Sequence, residues 1–361
     1  MKRRCVIISG GGTGGHVYPA LVLGQKLLKR DPRLHVTFVG SRRKAEKSIT
    51  DHHKVRFFPM PIEGLKGRGW RSLKTLILLP GAFLKSLALL LRLKPGLVVG
   101  VGGYSSGPIV LLASWMKIPT LILEQNVRPG FTNRLLIPWV KKAVAAFESS
   151  LPYLKSKGIF LGNPVREEFY SLPPKERKSR LAVLIFGGSQ GSRFLNGIVV
   201  AALPLLKNTK DRIEIFHQTG PDDCEWVKQS YAENRFDHVT VASFFFDMPD
   251  CFRAADLILS RAGATTCAEL IAAQKASLLI PFARAAYNHQ ALNAAALKNA
   301  GGADVIPEGE ATPHVLAGKI RFFLEHPERL TDMEKNLARL KTDSAAHRIA
   351  GLCFEMMETC P

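Results

Sequence analysis

A chain of 361 residues, 46% hydrophobic and 22% charged, has the make-up of a globular protein and is long enough for two cores, since single cores stop growing beyond about 250–300 residues. Its six cysteines form no C-x-x-C pair and no His/Cys cluster, which argues against a structural zinc and a disulfide scaffold and fits a reducing compartment. The net charge of +20 is uneven: residues 1–165 hold 27 Lys/Arg against 6 Asp/Glu, and residues 166–361 hold 23 against 24. The first half is therefore expected to meet a polyanion, whether nucleic acid, an anionic membrane or a phosphorylated substrate.

The chain opens on "MKRRCVIISGGG". Its apolar run is only "CVII" before glycine intervenes, which predicts a first strand and not a signal peptide. A helix follows over 16–30, with Pro19 suited to its first turn, and then a strand at 35–40. The stretch 72–94, "SLKTLILLPGAFLKSLALLLRLK", is apolar but punctuated by Lys74, Lys85, Arg92 and Lys94. Its uncharged runs fall short of the ~20 residues a spanning helix needs. With Pro80-Gly81 breaking it, it reads either as a pair of buried helices or as an apolar surface with a basic rim, lying on a membrane face with Trp70 beside it. No reader motif and no interleaving of cations with aromatics supports nucleic acid. Strands are predicted at 96–103, 119–126 and 143–147. Pro173 and Pro174 mark a linker, and a second βα series starts at "SRLAVLIFGGSQGSRFLN", 179–196. "IEIFHQTG", "VTVASFF", "LILSRAG" and "ASLLIPF" supply its further strands, and 347–361 reads as a terminal helix. The alternation predicts an α/β protein of two Rossmann-like domains. The first is residues 1–165 with the last helix, about 345–361, and the second is 166–344.

Gly10, Gly12 and Gly15 spell G-x-G-x-x-G, a dinucleotide turn. The following strand ends in "GSRRK" and not in an acidic residue, so an NADP-binding oxidoreductase is one reading. His16 directly after the glycines argues for another ligand. Glycine turns ahead of a helix present N–H groups and a positive dipole end to any phosphate. "GYSSGP" at 103–108, "FGGSQGS" at 186–192 and "SRAGATTCAEL" at 260–270 repeat the device. In the last, Ala264, Thr265 and Thr266 would hold a diphosphate, and Glu269 is placed to accept ribose hydroxyls. "EQN" at 124–126 and Gln290 and Asn293 of "NHQALNA" suit sugar hydroxyls. His16 is the group whose ordinary pKa suits a general base. No D-x-D-like metal motif stands in a suitable loop, so no metal ligands and no cofactor are assigned.

Seven of these motifs, "GGTGGHVYPA", "GVGGYSSGP", "EQNVRPGFTNR", "GNPVR", "FGGSQGS", "RAGATTCAEL" and "NHQALNA", come in an order and spacing that resembles the MurG family of bacterial glycosyltransferases, over residues 5 to about 300. The resemblance implies a GT-B fold, with two Rossmann-like domains facing a cleft. It implies inverting transfer of N-acetylglucosamine from UDP to the C4 hydroxyl of undecaprenyl-diphosphate-linked muramyl-pentapeptide (lipid I), giving lipid II on the cytoplasmic face of the inner membrane. A wall-synthesis complex is implied as a further partner. Carried over by motif, Thr13, Gly14, Gly15 and Asn126 line the donor sugar, and Arg166, Ser189 and Gln190 the nucleotide diphosphate. Phe244 and Phe245 face uracil, and residues 264–269 (Ala264, Thr265, Thr266, Cys267, Ala268, Glu269) bind diphosphate and ribose. Gln290 and Asn293 take sugar hydroxyls. Gly11, Gly12, Gly102, Gly103, Ser105 and Ser106 hold the acceptor diphosphate. His16 is the candidate base, with Glu124 as the alternative. Phe246 departs from the family, which usually has an acidic residue there. Rivals are another GT-B UDP-sugar enzyme, such as a diacylglycerol galactosyltransferase or a UDP-sugar epimerase, and a non-catalytic membrane-surface scaffold.

Overall fold

The computed structural model describes residues 5–11, 14–41, 55–60, 70–173, 179–188, 190–341 and 343–358. The chain divides into two compact units, residues 1–165 with 343–361 and residues 166–342.

The first unit has β1 (Cys5–Ser9), α1 (Gly14–Arg30), β2 (His35–Ser41), β3 (Phe57–Met60), α2 (Trp70–Leu93), β4 (Leu97–Gly100), α3 (Ser106–Trp115), β5 (Thr120–Glu124), α4 (Phe131–Leu136), β6 (Lys142–Ala145), α5 (Leu151–Leu154) and β7 (Gly158–Phe160). All strand pairs are parallel, in the order β3-β2-β1-β4-β5-β6-β7. β1, β4 and β5 are buried along their whole length, as strands covered by helices on both faces must be. Two clusters form the core. Val6, Ile8, Leu21, Leu23 and Leu27 pack with the last helix on one face, and Ile7, Val98, Ile109 and Ile122 pack with Leu89 and Leu90 on the other.

The second unit has β8 (Leu181–Phe186), α6 (Arg193–Ala202), β9 (Ile213–Gln218), α7 (Cys224–Glu233), β10 (Val239–Ala242), α8 (Met248–Ala254), β11 (Leu257–Ser260), α9 (Ala264–Ala273), β12 (Ser277–Leu279), α10 (His289–Asn299), β13 (Ala303–Val305), α11 (Pro313–Glu325) and α12 (Pro327–Leu340). Its parallel sheet runs β10-β9-β8-β11-β12-β13. α13 (Ala345–Glu358) then returns to the first unit and lays Ile349, Ala350, Cys353 and Met356 on the α1 side of that core.

In each sheet the strand order reverses once, between β1 and β4 and between β8 and β11. Helices leaving these strands go to opposite faces, so the chain opens a crevice at their carboxyl ends, where ligands of open α/β sheets bind. The glycine turns after β1, β4, β8 and β11 are the loops at those two reversals.

One expectation is corrected. Residues 72–94 are not a pair of helices broken at Pro80-Gly81: α2 is one helix with Pro80 inside it. Pro80 itself lies on the exposed side of the helix. α2 buries Ala82, Ser86, Leu89 and Leu90 and exposes Leu84, Leu87 and Leu91, spaced three and four apart on one stripe. Among the described residues no helix is long and apolar enough to cross a membrane.

Candidate functional site

At the reversal in the first unit, two glycine loops lock together. Gly103 has φ +80°, and a Cβ there would run into the Gly11 carbonyl oxygen. Gly102 has φ +91°, and a Cβ on it would stand 2.8 Å from Cδ2 and 2.9 Å from Nε2 of His16. Only glycine fits both positions, on conformation and on space. His16 in the first turns of α1 is thus brought against the loop that follows β4. The hydroxyls of Ser105 and Ser106 point inward. Ser106 Oγ donates to the Gly103 carbonyl at 2.8 Å, and Ser9 Oγ donates to the Ser105 carbonyl at 3.1 Å. Gly15 and the backbone of Gly14 lie at the start of α1. The assignments on Gly12, Thr13, Ser189, Arg42 and Arg43, and on the side chains of Trp70 and Lys74, lie outside the described residues.

Glu124 ends β5 and is 2% exposed. Its Oε1 accepts from the Asn126 backbone N–H at 2.9 Å and from Asn126 Nδ2 at 3.3 Å. Its Oε2 accepts from Gly130 N–H at 3.0 Å and Asn133 Nδ2 at 2.8 Å. Burial pushes its pKa up, and these donors pull it down. Every partner is a donor, so the loop is built around the carboxylate form. Both oxygens are spent on residues 126–133, which gives Glu124 the chemistry of a strut for Asn126 in place of that of a base.

The second unit is organised by buried polar side chains. Arg261, just past β11, is 7% exposed. It pairs with Glu308, donates through Nη1 to the Ile280 carbonyl at 3.1 Å and through Nε to Ser192 Oγ at 3.2 Å, and stacks on Phe194 and Phe282. Ser192 caps α6 by accepting from Leu195 N–H. One guanidinium therefore ties the glycine loop after β8 to the loops after β11 and β12. Gln218 at the end of β9 makes a second tie: Nε2 donates to the Gly188 carbonyl at 3.1 Å, and Oε1 accepts from Phe245 N–H at 2.8 Å. Behind it, His217 touches Tyr231 Oη at 3.0 Å and Asn196 Oδ1 at 3.1 Å, and Asn196 donates to Asp223 at 2.8 Å. Asn196 Oδ1 only accepts, so the ring carries its proton on Nε2 and accepts from Tyr231 at Nδ1. Burial lowers the His217 pKa to about 3, against a smaller upward pull from Asp223, and keeps the ring neutral.

α9 starts at Ala264 behind Gly263, with no side chain capping it. The N–H groups of its first turn face the crevice end of β11, and the helix dipole favours an anion there. Glu269 lies further along the same helix. Burial lifts its pKa to about 7, and the Arg166 guanidinium opposes that rise. The structure thus brings Arg166 near the α9 residues. Gln290 on α10 accepts from Phe282 N–H at 2.9 Å; Gln190 is exposed in the loop after β8, and Ala268 is half-buried on α9.

Three assigned residues make contacts within the second unit. Phe245 gives its N–H to Gln218, leaving its carbonyl for a base. Asn293 is fully buried and donates to the Ala262 carbonyl at 3.3 Å, tying α10 to the β11 turn. Cys267 is buried in the core face of α9, where burial raises its thiol to about 12. Phe244 stacks edge-on with the exposed Phe246 at 5.2 Å. Arg261, Gln218 and the His217–Asn196–Asp223 set were not singled out from sequence. Their partners are scattered from 188 to 308, and the one local sign was a polar pair, His217-Gln218, closing an apolar strand. Among the described residues no group of three or more His, Cys, Asp or Glu side chains converges as a metal site.

Besides Leu84, Leu87 and Leu91, the first unit exposes Trp115 and Trp139, edge-to-face at 5.9 Å, with Phe131 and Leu135. Lys85, Arg92, Lys94, Lys117 and Lys141 are exposed in the same unit. A cavity of about 250 Å³ is lined by Arg128, Arg134, Lys155, Tyr153, Pro129, Ile137 and Pro138, with no acidic side chain among them.

Comparison with known proteins gives a consistent picture. Residues 6–145 match the glycosyltransferase family 28 N-terminal domain, and residues 182–349 match the family 28 C-terminal domain. A UDP-N-acetylglucosamine--N-acetylmuramyl-(pentapeptide) pyrophosphoryl-undecaprenol N-acetylglucosamine transferase of Myxococcus xanthus is 43% identical over 356 residues, covering 98% of this chain and 93% of its own. The like-named protein of Syntrophus aciditrophicus is 41% identical and covers 98% of both. Among solved structures, Acinetobacter baumannii MurG superposes with a TM-score of 0.78 at 28% identity, over 98% of this chain and 99% of its own. UDP-GlcNAc 2-epimerase from Neisseria meningitidis, bound to UDP-GlcNAc, gives 0.67 at 15% identity over 99% and 100% of the two chains, a likeness of fold alone.

Proposed function

The chain belongs to glycosyltransferase family 28 and, within it, to the MurG family of GT-B fold, and from that premise we propose that it moves N-acetylglucosamine from UDP to the C4 hydroxyl of lipid I to make lipid II for peptidoglycan. The observation that carries the reading is identity of 43% along 98% of the chain, which leaves neither unit outside the likeness.

The second unit supplies the donor site. The first turn of α9 binds the diphosphate of UDP and offsets the charge that gathers on it as it leaves. Glu269 takes the ribose hydroxyls, Gln190 and Arg166 stand on the diphosphate side, and the Phe245 carbonyl and Phe244 receive uracil. Gln290 takes sugar hydroxyls. The first unit carries the acceptor, whose diphosphate sits on the amides of the locked loops at Gly11 and Gly102–Gly103. His16, held against that loop, takes the C4 hydroxyl proton as the oxygen attacks C1 and inverts it. Asn126, braced by Glu124, contributes hydrogen bonds to the sugars.

The acceptor is a polyprenyl diphosphate, so the enzyme must work at a membrane surface. The leucine stripe of α2, the Trp115–Trp139 pair and the surrounding lysines and arginines suit a peripheral contact with an anionic bilayer, on the cytoplasmic face where UDP-sugars are found.

The test is transfer of labelled N-acetylglucosamine from UDP to a short-chain lipid I analogue, with UDP-galactose and a lipid lacking muramic acid as controls. Transfer to the muramyl acceptor alone is expected, and no transfer under varied detergent and metal conditions overturns the reading. His16→Ala is expected to lower turnover about 10²- to 10⁴-fold; near-normal turnover removes His16 from the base role and leaves the function standing.

A further inference from the structure

The end of β5 holds a side chain that this scheme does not use. Gln125 is 2% exposed, and its Nε2 donates to the Val101 carbonyl at 3.0 Å. A carbonyl only accepts, so this contact settles which end of the amide is nitrogen. Oε1 therefore points away from Val101. It is buried and has no hydrogen-bond partner. A buried acceptor without a donor is costly to keep, and beside a reaction centre a contact made during turnover accounts for it. What stands on that side is His16. A Cβ built on Gly102 would lie 2.9 Å from His16 Nε2 and 3.6 Å from Gln125 Oε1, so the ring edge and the amide oxygen flank the gap that glycine leaves open.

We propose that Gln125 is the positioning residue of His16: its Oε1 accepts the imidazole Nε2–H and so leaves Nδ1 as the nitrogen that receives the acceptor's proton. The inference rests on the reading of His16 as base. In the transfer step the C4 oxygen gives its proton to Nδ1 and bonds to C1 of the sugar. The C1–oxygen bond to UDP breaks, and its electron pair leaves with UDP. Nε2 keeps its proton throughout, and its hydrogen bond to Gln125 Oε1, an acceptor without a donor in this structure, forms as the ring becomes charged. Glu124 does not substitute, because the 126–133 loop already holds both its oxygens.

The experiment is a mutant cycle in the full-length enzyme on the lipid I analogue: Gln125→Met, which keeps length but removes the acceptor, and Gln125→Glu, which keeps an oxygen there, each alone and with His16→Ala. Gln125→Met is expected to lower kcat roughly 10- to 100-fold, less than loss of the base itself, with KM for UDP-N-acetylglucosamine unchanged. Gln125→Glu keeps an acceptor for Nε2–H but loses the donor to the Val101 carbonyl, so its kcat is expected to fall between those of wild type and Gln125→Met. In the His16→Ala background Gln125→Met is expected to add nothing, since a residue that acts through another is silent without it. If His16→Ala is defective and Gln125→Met multiplies that defect, His16 remains the base and this inference falls. Unchanged kcat in Gln125→Met overturns it equally. A measurement independent of the variants' folding is the ¹⁵N spectrum of histidine-labelled wild-type enzyme, with the His16 signal assigned by its loss in His16→Ala. The Nε2–H tautomer is expected, and the Nδ1–H tautomer overturns the inference.

Discussion

The glycine loops after β1 and β4 lock by close approach of backbone; in the second unit Gly191 and Gly220 lock neighbouring loops in the same way, but buried polar side chains wire those loops further. At Gly11 and Gly103 the contact is peptide against peptide, and the space is there because Gly103 lacks a Cβ. At Arg261, Gln218 and His217 the loops are tied by guanidinium, amide and imidazole groups with named partners. The two also differ outside: the exposed leucines of α2 and the two tryptophans belong to the first unit, and so does the excess of positive charge. A loop of bare amides suits a ligand that arrives carried by a lipid. A wired scaffold suits a soluble donor whose diphosphate, ribose and base must each be placed.

The sharpest way to break this comparison is to cut the wiring. Arg261→Met leaves the half-buried Glu308 without its guanidinium and unties three loops, which should destabilise the second unit by about 2–4 kcal/mol. Urea unfolding should show that unit melting early while the first unit is little changed, and equal losses in both would refute the division of labour. The next effect is one of acidity. His217 is neutral in the folded state with a pKa near 3, whereas the unfolded ring titrates near 6.5. Its contribution to stability is therefore full above 6.5 and is lost as pH falls from 6.5 towards 3, amounting to about 2 kcal/mol by pH 5. The drop in thermal midpoint between pH 7 and pH 5 should shrink in His217→Gln, and an unchanged drop would count against a buried neutral ring.

Glu269 has the opposite sign. Its folded pKa, about 7, is above the unfolded value, so its stabilising contribution is present at low pH and is lost as pH rises towards 7. UDP binding wants the carboxylate and should tighten with rising pH up to about 7, by at most about tenfold per unit. Calorimetric titration of UDP across pH 5.5–8 tests this, and Glu269→Gln should flatten the curve. The smallest expected effect on the fold is at the surface of the first unit. Leu84→Ser with Leu91→Ser should weaken binding to vesicles of phosphatidylcholine with phosphatidylglycerol by roughly a hundredfold or more, on the scale of two leucine side chains at about 1.5–3 kcal/mol each. Stability should stay within about 0.5 kcal/mol. Vesicle binding that survives the double substitution would move the membrane contact elsewhere.

Much of the architecture was legible because buried parallel strands followed by glycine turns are loud in sequence. "CVIIS", "LVVG" and "LILS" are apolar runs that end where the helix must start. Three strands escaped notice for a physical reason. β3 contains Pro59, and β7 and β13 are three residues long; all lie at sheet edges, where little burial is demanded and little pattern is left. Pro80 misled because proline in a helix is costly, yet here it sits inside one continuous helix, on its exposed side. At the sites, glycines, His16 and the α9 turn could be picked out because their chemistry is local. Arg261 could not, since its meaning lies in Ser192, Ile280 and Glu308, brought to it by three different crossovers. Glu124 was visible as an acid, but its four donors, and with them its role as a strut, were not.

The interlocked turns at Gly11 and Gly103 have a mechanical consequence. Neither can shift alone, because the carbonyl of one occupies the hollow of the other, so a ligand that tugs on the turn after β4 drags the turn after β1 and the start of α1 with it. Occupancy of one turn is thereby felt by the imidazole, although the chain between them runs through some ninety residues.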